Sequence, residues 1–367
     1  MARVLILTAS IGAGHDLPAR FLAEDLRAQG AEAIVADGLK AMGPLVERTV
    51  ASGSLFYSAW GARLFEAQYW LFTHVAPLRA LTGWGSVLLG GRGLLRLIAA
   101  LTPDVVVSTY PGTTEALGRL RASGRLDVPA VSAITDLAAL RYWSHPGIDL
   151  HLVTHPESIE EVRSIAGPAT EVVPVRGLND PAFCRPRDRE EARRALGLPL
   201  EPKLVVVSGG GWGVGDVEGA VGTALRADGT EVVVMCGRND ELRARVEERY
   251  REEPRVRALG FTDQVPDLFA AADALVHSTA GLTVLEALQR GCPAISYGWG
   301  RGHLRANNRA FRRFGLAEVA TTPVELETAL RRALAARRDP DLSFARLPSA
   351  GDVVLSRLAG QQLADGR

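Results

Sequence analysis

Ala274-Leu275-Val276-His277-Ser278-Thr279-Ala280-Gly281-Leu282-Thr283-Val284-Leu285-Glu286 is the stretch whose reading decides the fold. It opens as a short apolar run of the buried-strand type, and small and hydroxyl-bearing residues follow. Leu282, Leu285 and Leu288 then recur at helical spacing until Gly291 and Pro293 stop the pattern. A strand that ends where a helix begins predicts an α/β unit. It also gathers the free N–H groups and the positive dipole end of a helix at residues 278–281, where an anion such as phosphate binds. Gly281 lets a ligand approach the backbone closely. Glu286 falls about one turn into the helix, where a carboxylate could accept hydrogen bonds from ribose hydroxyls. On the plainer reading, Ser278 and Thr279 cap the helix and Glu286 faces solvent.

The neighbouring segments repeat the theme. Lys203–Val207 is a strand followed by Ser208-Gly209-Gly210-Gly211-Trp212-Gly213, and Glu231–Met235 runs into Cys236-Gly237-Arg238-Asn239. Leu259-Gly260-Phe261 ends a third strand, with a short helix at Val265–Ala271. Beyond the strand Ala294–Tyr297 come His303, Asn307 and Asn308. Glycines 209–213 leave room for a ligand or serve a tight turn with positive φ. Cys236 reads as a small buried filler. The asparagines could hold hydroxyl groups or cap a helix.

A similar alternation precedes this unit. Strands are expected at Val4–Leu7, Ala33–Ala36, Asp104–Ser108, Ala130–Thr135, Leu150–Thr154 and Thr170–Val175. The loop Thr8-Ala9-Ser10-Ile11-Gly12-Ala13-Gly14-His15 leads to a helix starting near Pro18 and ending at Gly30. Between the two units, Pro181, Pro186, Pro199 and Pro202 flank a charged helix, Arg187–Leu196. The chain therefore divides into domains 1–178 and 179–340, with a terminal helix in 341–367. The class is α/β with doubly wound sheets, and ligands are expected at the carboxyl ends of the strands.

Composition narrows the function. Lys plus Arg equal Asp plus Glu at 42 each, so no basic surplus points to nucleic acid. The three cysteines, Cys184, Cys236 and Cys292, have no metal-ligand spacing, and no metal is expected. The chain starts directly on a strand, without a signal-like segment, and no uncharged run of about 18 apolar residues is present. A cytoplasmic protein is expected. Residues 54–98 stand apart: Leu55, Phe56, Tyr57, Trp60, Phe65, Tyr69, Trp70, Leu71, Phe72 and Trp84 are interspersed with Arg63, Arg79, Arg92 and Arg96. Aromatic residues and arginines on amphipathic helices suit a membrane surface or a lipid groove. They also suit a helical pair packed on the sheet.

These motifs, in this order, resemble the GT-B glycosyltransferases. More narrowly, they resemble the family of monogalactosyldiacylglycerol synthase, the bacterial diacylglycerol glucosyltransferases and the lipid-II N-acetylglucosaminyltransferase. The resemblance rests on Arg3–Ala9 with Gly12, Gly14 and His15, on Pro103–Pro111, and on Thr135-Asp136-Leu137 with Trp143, His145 and Thr154-His155. It rests also on Cys236–Asn239, Gly260-Phe261 and Ala280–Ala287. It implies two Rossmann-like domains facing a cleft, with the terminal helix crossing back to the first. It implies an inverting transfer from a UDP-sugar to a lipid hydroxyl, with no further cofactor, at the inner face of the cell membrane. His15 would be the base, and Asp136 would orient it or act as the base itself; each could instead cap a helix. Gly14, Tyr110 and Trp143 would contact the acceptor. Gly209, Gly210, Gly211, Gly237, Arg238, Phe261, Ser278, Thr279, Ala280, Gly281, Thr283, Glu286, His303 and Asn307 would contact the donor, Phe261 through its backbone against the base.

One departure from the family's pattern concerns the sugar. Related lipid glycosyltransferases carry Pro-Gly-Gln-Glu where this chain has Gly300-Arg301-Gly302-His303, and the changed pair leaves the donor sugar open. Transfer to a secondary metabolite or polyprenyl lipid, epimerisation, and sugar-nucleotide binding without turnover are the alternatives. UDP release that depends on added lipid separates transfer from the last two.

Overall fold

Runs of valine, leucine and isoleucine without polar alternation become parallel strands covered on both faces. The computed structural model describes residues 1–10, 13–55, 71, 75–279, 281–298, 300, 302–335 and 339–364. They fall into two units, Met1–Asn179 with Leu347–Arg367, and Asp180–Arg346.

The first unit holds β1 (Arg3–Thr8), β2 (Glu32–Asp37), β3 (Val105–Ser108), β4 (Ala130–Ile134), β5 (Leu150–Val153) and β6 (Val172–Pro174). Their order is β2-β1-β3-β4-β5-β6, and all pairs are parallel. Helices α1 (Ala13–Ala28), α2 (Gly38–Met42), α3 (Pro44–Leu55), α4 (Ala76–Leu101), α5 (Pro111–Ala122) and α6 (Ile159–Ala166) surround it. Alternate residues of β1 face opposite cores. Val4 and Ile6 meet Leu22 and Leu26 of α1, while Leu5 and Leu7 meet the layer of α4 and α5. The C-terminal helix Ala350–Ala364 belongs to this unit: its Gly351 N–H donates to Asp25 Oδ2 at 2.9 Å, and Val354 and Leu358 join the α1 core.

Helix α1 starts at Ala13 rather than near Pro18, which lies inside it. Tertiary bonds hold the early turn: Thr8 Oγ1 donates to Asp16 Oδ1 at 2.9 Å, and Thr109 Oγ1 to the His15 carbonyl at 3.1 Å. A proline close to the helix start removes an N–H near those that lack helical acceptors anyway.

Helix α4 bears on the membrane expectation. Leu81–Leu101, 21 residues with Arg92 and Arg96 as its charges, is long and apolar enough to cross a membrane by length and composition. One of its faces is nonetheless core, burying Val87, Leu94 and Ile98. Glycines let α2 come close: a Cβ on Gly93 would sit 1.9 Å from the Ala41 carbonyl oxygen. Of the aromatic stretch before it, Phe56, Tyr57, Trp60, Phe65, Tyr69, Trp70 and Phe72 lie outside the described residues.

The second unit begins with α7 (Arg189–Ala195), fastened by charge. The buried Asp273 carboxylate accepts from Arg193 at 2.8 Å, from Arg189 at 3.0 Å and from the Leu204 N–H at 2.8 Å. Then follow β7 (Lys203–Ser208), α8 (Val217–Ala224), β8 (Thr230–Met235), α9 (Asp240–Arg249), β9 (Val256–Leu259), α10 (Val265–Ala271) and β10 (Ala274–His277). After them come α11 (Leu282–Gln289), β11 (Ala294–Tyr297), α12 (His303–Phe314), β12 (Glu318–Ala320) and α13 (Pro323–Ala335). The order is β12-β11-β10-β7-β8-β9. Strand β12 is an addition to the sequence reading; three residues are too few to show a period.

Candidate functional site

At the carboxyl edge of the first sheet, His15 sits in the first turn of α1, not in a loop. Its Nδ1 lies 3.0 Å from the carbonyl oxygen of Thr109. A carbonyl can only accept, so Nδ1 carries the proton and Nε2 is the ring nitrogen with the lone pair. Tyr110 stands edge-on to the imidazole with centroids 5.1 Å apart, and Trp143 lies at 5.8 Å. Burial, then the nearby Asp37, push the Tyr110 hydroxyl up to about 12, so it remains a neutral phenol. Gly14 is exposed, and a Cβ there would meet nothing within 4 Å.

Asp136 follows β4. Its Oδ2 accepts the indole Nε1–H of Trp143 at 2.9 Å. The imidazole Nδ1 is thus bonded to the Thr109 carbonyl, and the Asp136 carboxylate to the tryptophan. Trp143 is 2% exposed and belongs to a core cluster with Leu140 and Val162. It therefore presents little open surface to an acceptor. Its backbone is pinned as well: Ser132 Oγ donates to the Trp143 carbonyl at 2.7 Å, and the Leu140 N–H donates to Glu161 Oε1 at 3.0 Å. Just before Leu140, Ala139 adopts φ 66 and ψ 42, a left-handed conformation that costs an alanine roughly 1–3 kcal/mol. Nothing in the sequence marked this strained turn.

In the second unit the glycine loop folds back on itself. Residues Gly210–Trp212 form a short 3-10 turn, with Gly210 at φ 69 and Gly213 at φ 62. A Cβ on Gly209 would lie 2.6 Å from the backbone of Gly213, and one on Gly237 would lie 2.4 Å from the Gly210 carbonyl oxygen. The Arg238 N–H donates to the Gly211 carbonyl at 2.8 Å. These glycines are thus needed to close the turn and to let Gly237 pack on it. On the other flank a Cβ at Gly210 would meet Thr279 Cγ2 at 2.5 Å, and Ser278 Oγ donates to the Val214 carbonyl. The Arg238 guanidinium lies 4.2 Å from the centre of the Phe261 ring, which is 48% exposed.

Gly281 enters α11 at φ 61 and ψ −110, and Gly302 enters α12 at φ 53 and ψ −123. Only glycine adopts such backbone readily, so both helix starts depend on it. Thr279 Oγ1 donates to Thr283 Oγ1 at 3.0 Å. The Thr279 N–H reaches His277 Nδ1 at 3.3 Å, and burial pushes that imidazole down to about 4. Glu286 is partly buried on α11; burial first, then the neighbouring Asp180, push its carboxyl up to about 8. A carboxyl desolvated in this way gains most from a ligand that donates hydrogen bonds to it. Ala280 and Arg301 lie outside the described residues.

His303 opens α12. Asn307 is buried and its Nδ2 donates to the His303 carbonyl at 2.9 Å. Asn308 accepts from Ser296 Oγ at 2.6 Å and donates to the Gly298 carbonyl at 3.1 Å, which fastens α12 to β11. Both amides thus serve the helix and the strand beside it.

Two family descriptions match this chain. The monogalactosyldiacylglycerol (MGDG) synthase family covers residues 18–178, and glycosyl transferases group 1 covers residues 217–335. The processive diacylglycerol beta-glucosyltransferase of Bacillus pumilus (strain SAFR-032) is 25% identical over 324 residues, 86% of this chain and 82% of that protein. The protein of the same name in Bacillus licheniformis is 23% identical over 370 residues, 98% of this chain and 94% of that one. Among solved structures, the spinosyn rhamnosyltransferase SpnG with thymidine diphosphate aligns at a TM-score of 0.61 and 16% identity, over 97% of this chain and 99% of that one. Acinetobacter baumannii MurG aligns at 0.58 and 16%, over 98% and 100%. The structural likenesses speak for the fold, and the sequence matches speak for the branch. With two parallel six-stranded sheets of this topology, the chain has the GT-B glycosyltransferase fold, with a monogalactosyldiacylglycerol synthase domain over residues 18–178, a group 1 glycosyl transferase domain over residues 217–335, and similarity to the Bacillus diacylglycerol glucosyltransferases.

Proposed function

We propose that this glycosyltransferase moves a sugar from a UDP-sugar to a hydroxyl of a membrane lipid such as diacylglycerol, with inversion at the anomeric carbon. The observation that carries the transfer reading is the His15 imidazole, with Nδ1 donating to the Thr109 carbonyl. Nε2 is then the nitrogen that accepts the acceptor hydroxyl's proton as the oxygen attacks the anomeric carbon. Attack opposite the departing diphosphate inverts the configuration. Gly14 and Tyr110 flank that hydroxyl on the first unit.

On the second unit Glu286 takes the ribose hydroxyls, and Gly281, Ser278, Thr279 and Thr283 surround the diphosphate at the start of α11. The N–H groups at the start of that helix stabilise the charge on the leaving group. The backbone at Phe261 reads the base, with Arg238 stacked beside it. His303 lies nearest the sugar in this reading, while Asn307 holds the helix turn that carries it.

The lipid acceptor is supported by the names of the Bacillus relatives and by α4. The outward face of that helix carries Leu81, Trp84, Leu88 and Leu89, exposed at 67%, 48%, 77% and 59%, and continues into Arg92 and Arg96. Apolar side chains beside arginines match the boundary between acyl chains and anionic headgroups. We assign this face to the membrane surface, which makes the enzyme a peripheral one.

The test is a donor-by-acceptor product screen by mass spectrometry, with UDP release followed in parallel. The expected result is UDP release that depends on diacylglycerol and a glycosyl-diacylglycerol product. Equal UDP release without lipid, or products only on water-soluble alcohols, would overturn the lipid assignment.

A further inference from the structure

Trp143 has two features that a core tryptophan does not need. Its indole N–H is given to a carboxylate, Asp136 Oδ2 at 2.9 Å, and its ring lies beside the His15 imidazole at 5.8 Å with an interplanar angle of 46°. A buried indole is satisfied equally well by a backbone carbonyl. Choosing an ionisable partner at the carboxyl edge of the sheet fixes where that carboxylate can point, because a bond to a charged acceptor is the stronger kind. The tryptophan is itself immobile. Its carbonyl is held by Ser132 from within β4, its N–H by the Leu140 carbonyl at 2.9 Å, and the turn before it is strained at Ala139. Backbone strain of this kind persists only where the surroundings enforce it.

We infer that Trp143 is a positioning residue: one indole holds the Asp136 carboxylate by its N–H and packs at a tilt beside the His15 ring. The inference rests on the reading of His15 as the base. It replaces the expectation that Trp143 lines the acceptor, since a side chain 2% exposed has almost no surface to offer a lipid. It also gives Asp136 an indirect role through the tryptophan. The imidazole is thereby held from two directions, by the Thr109 carbonyl at Nδ1 and by the indole against the ring. Both constraints act on rotation of the ring, and so on the direction of Nε2.

Trp143→Phe keeps a buried aromatic body but removes the N–H. The expected result is a fall in kcat of roughly 10- to 100-fold, the scale for a misplaced catalytic group, with donor and acceptor KM nearly unchanged. Asp136→Ala should give a similar fall, and the double variant should lose no more than either alone, because one bond is broken in all three. Trp143→His restores a ring N–H at reduced bulk and should recover part of the loss. A Trp143→Phe enzyme with wild-type kcat, a rise confined to acceptor KM, or losses that add in the double variant would overturn the proposal while His15→Ala stays inactive. Normal turnover in His15→Ala would overturn the base reading, and this proposal with it.

Discussion

The two sheets are built alike until the second strand. In the second unit the chain leaves β8, crosses through α9 and adds β9 beyond it at the sheet edge. In the first unit the chain leaves β2 and returns only at Val105, as β3 on the far side of β1. The intervening residues include α2, α3 and α4 instead of an edge strand. The consequence is visible on the surface. The exposed large apolar side chains of the first unit include a row on α4, Leu81, Trp84, Leu88 and Leu89. Those of the second unit include Trp212, Val214 and Phe261, on turns at the carboxyl ends of strands. A row along a helix suits an extended partner such as a lipid surface, and apolar tips at strand ends suit a small ligand.

The turns after the first strand of each unit differ in the same spirit. The helix that follows β1 carries His15 in its first turn. After β7 it closes into a glycine turn packed on Gly237. One edge carries an imidazole, and the other a compact backbone.

Single substitutions should separate those roles. The largest expected effect is His15→Ala, with turnover lower by about 10²–10⁴-fold, the usual contribution of a positioned base. UDP affinity by calorimetry should stay near wild type. A variant that turns over normally would remove the chemistry from the first unit. Glu286→Ala should show the opposite pattern, weakening UDP by roughly 1.5–3 kcal/mol when measured above about pH 8, where the carboxyl is charged. Unchanged UDP affinity with an intact fold would take Glu286 out of the donor site.

A smaller effect should appear in stability against pH. Burial pushes His145 and His151 in the first unit, and His277 in the second, down to about 4. The unfolded chain takes up protons near 6.5 that the native histidines refuse. Their contribution is complete above about 6.5 and is lost as pH falls toward 4. Glu286 has the reverse sign: its native carboxyl, near 8, keeps a proton that the unfolded chain releases near 4.5. Stability should therefore decline as pH rises through that interval. Glu286→Gln should flatten the alkaline decline in Tm and leave the acid one in place. An unaltered alkaline limb would show that the carboxyl is better solvated than its surroundings indicate.

The smallest effect concerns α4. Trp84→Ser with Leu88→Ser should lower pelleting with anionic liposomes severalfold, with activity on detergent-dispersed lipid retained. Pelleting insensitive to both changes would assign the membrane surface to another part of the protein and make the contrast between the units one of packing alone.

Much of the fold was legible because it depends on local pattern. Uninterrupted apolar runs such as Val4–Leu7 and Ala274–His277 identified parallel strands, and the alternation with helices identified the class. Gly281 was legible as a special position, although its requirement turned out to be positive φ at a helix start. The start of α1 was not legible. Pro18 is a local signal for a first turn, and bonds from Thr8 and Thr109, the latter about ninety residues away, overrode it.

The sequence by itself determined which residue types stand at strand ends: an imidazole after β1, glycines after β7, and a carboxylate one turn into α11. Spacing within a segment is enough for that, because strand and helix periods are set by the backbone. Only the tertiary structure decided what those groups do to one another. The His15 tautomer is set by a carbonyl just beyond β3, and Asp136 is engaged by an indole from its own loop. The glycine loop is closed by the turn after β8, and the Glu286 carboxyl is raised by burial among elements distant in sequence. Hydrogen bonding and desolvation depend on distances through space, and no local period carries that information.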